Sequence, residues 1–124
     1  MRRNIIFFLA CMLAVAGVSP LSAKNNKTLK DVLGKYFLIG TAMNVDQIWN
    51  RTPDETNVVK NNFNSIVAEN CMKGEEIHPE ENRFFWDDAD RFVKFGQDNG
   101  LAIIGHCLVW HSQPPVWMFT DERG

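Results

Sequence analysis

Neither sign of charge dominates this chain. Its 124 residues carry 13 basic and 15 acidic side chains, a formal net charge of −2. There is no basic stripe of the kind that holds a phosphate backbone, so nucleic acid is not an expected partner. Glycine-rich loops are missing as well. Gly40 stands alone after its apolar run, and a phosphate cradle needs several such residues together. No serine nucleophile elbow is visible. Metal-ligating patterns are thin: there is no Cys-x-x-Cys and no second histidine pair. His106, His111 and Glu69 are suitable ligand types, but residues five apart on a strand point to opposite faces. Neither a metal nor another cofactor is expected.

Long apolar runs are also scarce. A membrane span needs about 18 or more unbroken apolar residues, and the run from Ile5 to Val18 is shorter. Arg2 and Arg3 precede it and small residues follow, which is the order of a secretory signal. Residues 1–23 are therefore expected to be removed, with cleavage after Ala23 or, less simply, after Ala16. The protein is expected to be exported to the periplasm, the cell surface or the medium, and to have no membrane contact once the signal is gone. Loss of the two arginines leaves 11 basic against 15 acidic side chains, a net charge of −4. Of three cysteines, only Cys71 and Cys107 remain. An exported protein could join them, but both sit in apolar segments, where free cysteine is a common small core residue. Free thiols are expected.

What the chain does have is apolar segments punctuated by caps. Thr28 is placed to cap a short helix carrying Leu29, Val32 and Leu33, which Gly34 stops. YFLIGTAM, from Tyr36 to Met43, has the length of a strand, and NVDQIWNR reads as a polar loop. Thr52-Pro53-Asp54-Glu55 reads as a capping box with proline at the first helical position, opening a helix with Val58, Val59 and Phe63. A second strand is expected in FNSIVAEN, followed by a charged loop to Trp86. Asp87 or Asp88 then starts a helix whose Ala89, Phe92, Val93 and Gly96 share one face. Asn99-Gly100 ends it in a left-handed cap. LAIIGHCLVW forms the third strand. Runs apolar on both faces, alternating with helices, fit a parallel sheet covered by helices. The fold class is α/β. A closed barrel takes eight strands and about 250 residues, so residues 24–124 are expected to be the amino-terminal part of a larger domain, whose remainder is a partner of this one.

In such folds function sits at the carboxyl ends of the strands. There the chain carries Asn44, then Glu69 and Asn70 with Lys73 just beyond, then His106, Trp110, His111 and Gln113. Each has a plainer reading. Glu69 and Lys73 can form an ordinary ion pair, Asn70 can close a turn, His106 can be a satisfied core histidine, and Trp110 and Trp117 can simply pack. Three successive strand ends carrying such residues favour a site. Amides, a carboxylate and an ammonium suit the hydroxyls of a sugar, and a flat indole suits its C–H face. On one strand, His106 and Trp110 would share a face, whereas His111 would not.

FNSIVAENCMK and IIGHCLVWHSQPPVW, in that order, resemble the second and third strand motifs of glycoside hydrolase family 10, the endo-1,4-β-xylanases. FLIGTAMN resembles that family's first strand. The resemblance implies a (β/α)8 TIM barrel, of which this chain holds the first three βα units. It implies that Glu69, Asn70 and Lys73 bind sugar on the glycone side. His106 and Trp110 would lie beneath the sugar next to the scissile bond, with Gln113 following in the same motif. His111 falls in the same motif, and Asn44, at the end of the first strand, is a further candidate from its position. Cys71 stands where the family usually has an acidic residue, and Cys107 where it has threonine. The family retains configuration through two glutamates, after the fourth strand and at the seventh, with carboxyls about 5–5.5 Å apart. No catalytic residue is therefore expected up to Gly124, and the chain by itself is expected to be inactive. The expected ligand is xylan or xylo-oligosaccharides. The alternative is a non-catalytic sugar-binding or interaction module that ends naturally at Gly124.

Overall fold

The computed structural model describes residues 27–121; the expected signal segment lies outside them. Helix α1 (Leu29–Leu33) leads to strand β1 (Gly40–Met43), and α2 (Val45–Ile48) and α3 (Pro53–Asn62) follow. Strand β2 (Ser65–Ala68), α4 (Gly74–Ile77), α5 (Asp87–Asp98) and β3 (Ala102–Ile104) come next, and a 3₁₀ turn covers Val116–Phe119. The strands make one parallel sheet in the order β1-β2-β3. Gly40 pairs with Ser65, and Ser65 pairs with Ala102. The arrangement is the expected βα repeat, an incomplete barrel of three strands.

Alternation along the strands gives the sheet two unlike faces. Ile66 and Ile103 stand in register on the helix-covered face, with Met43 and Ala68 further along it. Here Met43, Ile48, Ile66 and Phe92 are fully buried. Helix α5 lies against β2 and β3, and Gly96 lets it come close. A Cβ at position 96 would stand 2.5 Å from Ile103 Cγ1 and 3.2 Å from Ile66 Cδ1. The opposite face carries Ala42, Val67 and Ile104 in one row. Those residues are apolar, yet Ile104 is 54% exposed. An apolar row on the face away from the helices is what the strands of a βα barrel turn toward its filled interior.

Local caps close α1 and the C-terminal end of α5. Thr28 donates its backbone N–H and its hydroxyl to the Asp31 carboxylate, at 3.0 and 2.7 Å, and Gly34 is the C-cap of α1. Gly100 has φ +63° after α5. Its N–H donates to Gln97 O at 3.2 Å and that of Leu101 to Gly96 O at 2.9 Å, the paired bonds of a Schellman ending.

Several expectations need correction. NVDQIWNR is not all loop: Asn44 Oδ1 accepts from the Gln47 N–H and Gln47 Oε1 from the Asn44 N–H, both at 3.1 Å, and this capping box starts α2. Thr52 does not cap α3. Its ψ of 74° is short of the extended cap geometry, its buried hydroxyl has no partner, and Glu55 instead accepts from Gln47 Nε2 at 2.9 Å. Val58 is exposed, and Thr56 takes the buried place beside Val59. The first strand starts at Gly40 rather than Tyr36, because Asn64 Oδ1 takes the Ile39 N–H at 2.6 Å at the point where β2 begins; Tyr36, Phe37 and Leu38 stay exposed. The third strand stops at Ile104, so residues 105–110 are loop. Finally, α4 interrupts the charged segment expected to be all loop.

Candidate sugar-binding site

The site begins where β2 stops. The Glu69 N–H still donates to Met43 O at 3.0 Å, continuing the sheet by one step, and the Lys73 N–H donates to Asn70 O at 2.8 Å. That turn folds the Lys73 side chain back over the strand end. Lys73 is the one buried charged residue among those described, 8% exposed. A buried ammonium needs acceptors. Its Nζ donates to Asn70 Oδ1 at 2.7 Å and to Gln113 Oε1, and it lies 4.8 Å from the centre of the Trp110 ring. The plainer reading of Lys73 as the ion-pair partner of Glu69 does not hold: the described ion pairs are Arg51–Asp46, Arg83–Glu80 and Lys94–Asp98. Asn70, Lys73, Trp110 and Gln113 thus meet from two separate loops.

Beyond Ile104, a loop carries the remaining candidates. The His106–Cys107 peptide bond is cis. The His106 and Trp110 rings are 6.1 Å apart and edge-to-face, and Trp110 and His111 are 5.3 Å apart in the same manner. Strand alternation does not bring these rings together, since no strand runs through them; the loop does. It likewise removes the parity argument that set His111 apart. His106 is exposed, not a core residue. With Met72, Trp86 and Val93 it lines a cavity of about 240 Å³. Glu69 is exposed at the end of β2, beside Asn70 in the chain. Asn44 is engaged in its capping box, one strand away.

The pattern of donors follows from these contacts. A lysine ammonium has three N–H donors and no acceptor; two are used, leaving one. Asn70 spends its oxygen on Lys73, which frees its amide N–H groups. An exposed acceptor follows from the Glu69 carboxylate, next to Asn70 in the chain. The site therefore offers several donors and one charged acceptor beside an indole face, a match for a neutral molecule rich in hydroxyl oxygens.

One further residue was hidden in the sequence by its surroundings. Glu75 Oε1 accepts from Gln113 Nε2 at 2.5 Å; in a charged segment nothing marks it out. The Trp117 indole N–H donates to His78 O at 2.9 Å, tying the 113–117 segment to the loop that follows α4. Cys71 and Cys107 are both free, as expected. Burial, with the nearby carboxylates of Asp88 and Glu76 adding to it, pushes the Cys71 thiol up to about 11. Among the described residues no group of three or more histidine, cysteine or acidic side chains is arranged to hold a metal ion.

An endo-1,4-β-xylanase A of Xylanibacter ruminicola is 55% identical over all of this chain, which covers 33% of that protein. A family 10 glycoside hydrolase from Paenibacillus barcinonensis superposes with a TM-score of 0.73 at 36% identity, over 81% of this chain and 28% of the other. A mutant structure in complex with xylotriose superposes with a TM-score of 0.67 at 33% identity, over 78% of this chain and 29% of the other. The chain thus spans about a third of the length of the Xylanibacter relative. The model of glycosyl hydrolase family 10 matches residues 28–124, and the chain belongs to that family.

Proposed function

We propose that this chain supplies the first three βα units of an exported endo-1,4-β-xylanase and that its strand-end residues hold the glycone side of xylan. The observation that carries the reading is the convergence of Lys73 Nζ on Asn70, Gln113 and the Trp110 face. The remaining N–H of Lys73 and the amide N–H groups of Asn70 suit sugar hydroxyls, and the indole suits the C–H face of a pyranose. Glu69 supplies the acceptor, and His106 lies beneath the sugar whose bond breaks. Hydrolysis with retention takes a nucleophilic carboxylate and an acid/base carboxyl about 5–5.5 Å apart. In this reading both come from later strands of the barrel, and the residues named here bind and orient the substrate. The bond cleaved is an internal β-1,4-xylosidic bond. Export rests on the Arg2-Arg3 start, the apolar run and the small residues that follow it.

Xylose and glucose units share their ring hydroxyls and differ in one exocyclic CH2OH. Assaying the complete enzyme on xylan against soluble cellulose therefore tests the substrate. We expect xylan to be hydrolysed preferentially; equal or better hydrolysis of cellulose overturns the assignment. Expressing residues 24–124 alone tests the part against the whole. The expected product is an aggregating or molten chain without hydrolytic activity, because the barrel's mutual burial is incomplete. Cooperative unfolding together with xylo-oligosaccharide binding would instead establish an independent sugar-binding module.

A further inference from the structure

A carboxamide has two ends of nearly equal shape, one accepting and one donating. Which end of Gln113 faces Lys73 decides what Gln113 can offer a ligand. An ammonium only donates, so the Gln113 oxygen belongs on Lys73. A carboxylate only accepts, so Gln113 Nε2 belongs on Glu75, where Oε1 receives it at 2.5 Å. The backbone sets the two in register: the Glu75 N–H donates to Gln113 O at 3.2 Å. At neighbouring Gly74 the chains come closer still, and a Cβ there would stand 2.8 Å from Pro115 Cδ.

We propose that Glu75 is a positioning residue for sugar recognition: it locks the Gln113 carboxamide with its oxygen on Lys73 and its second Nε2 hydrogen available to the ligand. This rests on the reading of the site as xylan-binding. The terminal torsion of glutamine is broad, so an amide released from Glu75 and held only through its oxygen by Lys73 swings over a wider arc and aims its donor at the ligand less well. Lys73 alone restrains only the oxygen.

The test uses the complete enzyme carrying this chain, with E75A, E75Q, Q113A and the E75A/Q113A pair. Alanine removes the side-chain acceptor while keeping the Glu75 backbone N–H on Gln113. Glutamine keeps an acceptor oxygen. E75A should raise KM for xylo-oligosaccharides about fivefold, the scale of one exposed hydrogen bond, with little change in kcat. E75Q should restore most of the loss, and E75A should add nothing in the Q113A background. The side-chain amide signals of Gln113, identified by their loss in Q113A, should shift in E75A and largely recover in E75Q. That spectrum needs no substrate. An enzyme inactive on xylan would defeat the functional reading alone, and the amide signals would still decide whether Glu75 holds Gln113. Gln113 signals indifferent to E75A, or KM effects of E75A and Q113A that multiply as independent losses, would overturn the proposal.

Discussion

Replacing Lys73 with methionine separates binding from support. Methionine keeps the length and apolar bulk that lie near Trp110 while removing the ammonium, and size-matched exchanges of this kind cost little in packing. Inside the protein the change breaks the donations to Asn70 Oδ1 and Gln113 Oε1. Asn70 is exposed and Gln113 half-buried, so water can satisfy both oxygens, and the desolvation of a buried ammonium is relieved at the same time. These effects oppose each other, and the net change in stability should stay within about 1 kcal/mol. Binding has no such offset. The third N–H of the ammonium is lost to the ligand, a charge-assisted bond worth roughly 1.5–3 kcal/mol. On the complete enzyme kcat/KM for xylo-oligosaccharides should therefore fall by roughly 10- to 150-fold, mostly through KM, with little movement of the melting temperature. A variant within about threefold of the parent in kcat/KM, a loss of less than about 0.7 kcal/mol, but several degrees less stable would refute the reasoning. Lys73 would then be a structural cation.

His106→Ala should lower kcat roughly tenfold or more while raising KM less, because a hydrogen bond that tightens as the ring distorts appears in turnover; a destabilised but fully active variant would remove His106 from the site. Gly96→Ala gains about 1 kcal/mol of helix propensity but meets Ile103 at 2.5 Å, and overpacking costs about 1–3 kcal/mol. The urea midpoint should fall, and an unchanged or raised midpoint refutes the close α5–β3 contact. The Cys71 thiol, held up to about 11 by burial, stays protonated in the folded protein while the unfolded thiol ionises near its ordinary value of 9.0. Unfolding releases a proton across that window, so stability should decline as pH rises from 9 through about 11. Cys71→Ala should flatten that part of the pH curve, and an unaltered slope would show that other groups cause it.

Cap chemistry was legible where it is local. Thr28, Gly34 and the Asn99-Gly100 ending act within a few residues of chain, and all three fall where sequence places them. Thr52 shows the limit: its motif is intact, but Gln47, eight residues before Glu55, draws that carboxylate away. Gln47 is itself placed by the box with Asn44, which sequence read as a candidate sugar contact. Strand extent was harder. GHCLVW is as apolar as the strand before it, and composition cannot say where pairing stops. The loop brings His106 and Trp110 together by a different route from the strand alternation used to pair them. Glu75 could not be read at all, because its meaning lies in a contact 38 residues away.

That distance also explains how a site made of loops can hold its shape. β2 ends at Ala68 and β3 at Ile104, so neither the turn at Lys73 nor the segment at Gln113 is fixed by the sheet. Each is fixed by the other. The Lys73 ammonium, the Glu75 carboxylate and the Glu75 backbone N–H all grip the single residue Gln113, and the Trp117 indole binds the His78 carbonyl just beyond. The cation and the anion reach opposite ends of one carboxamide, so neither charge is left without a partner and the amide has one orientation that satisfies both. Gly74 matters here for its lack of a side chain, not for any unusual backbone angle: a methyl group in its place would press on Pro115 and move the Gln113 backbone away from Glu75. The burst of polar and aromatic residues after β3 is therefore the clasp that closes these loops and, on the proposed reading, also the rim that faces the sugar; a substitution that loosens the clasp should then act on binding before it acts on the core.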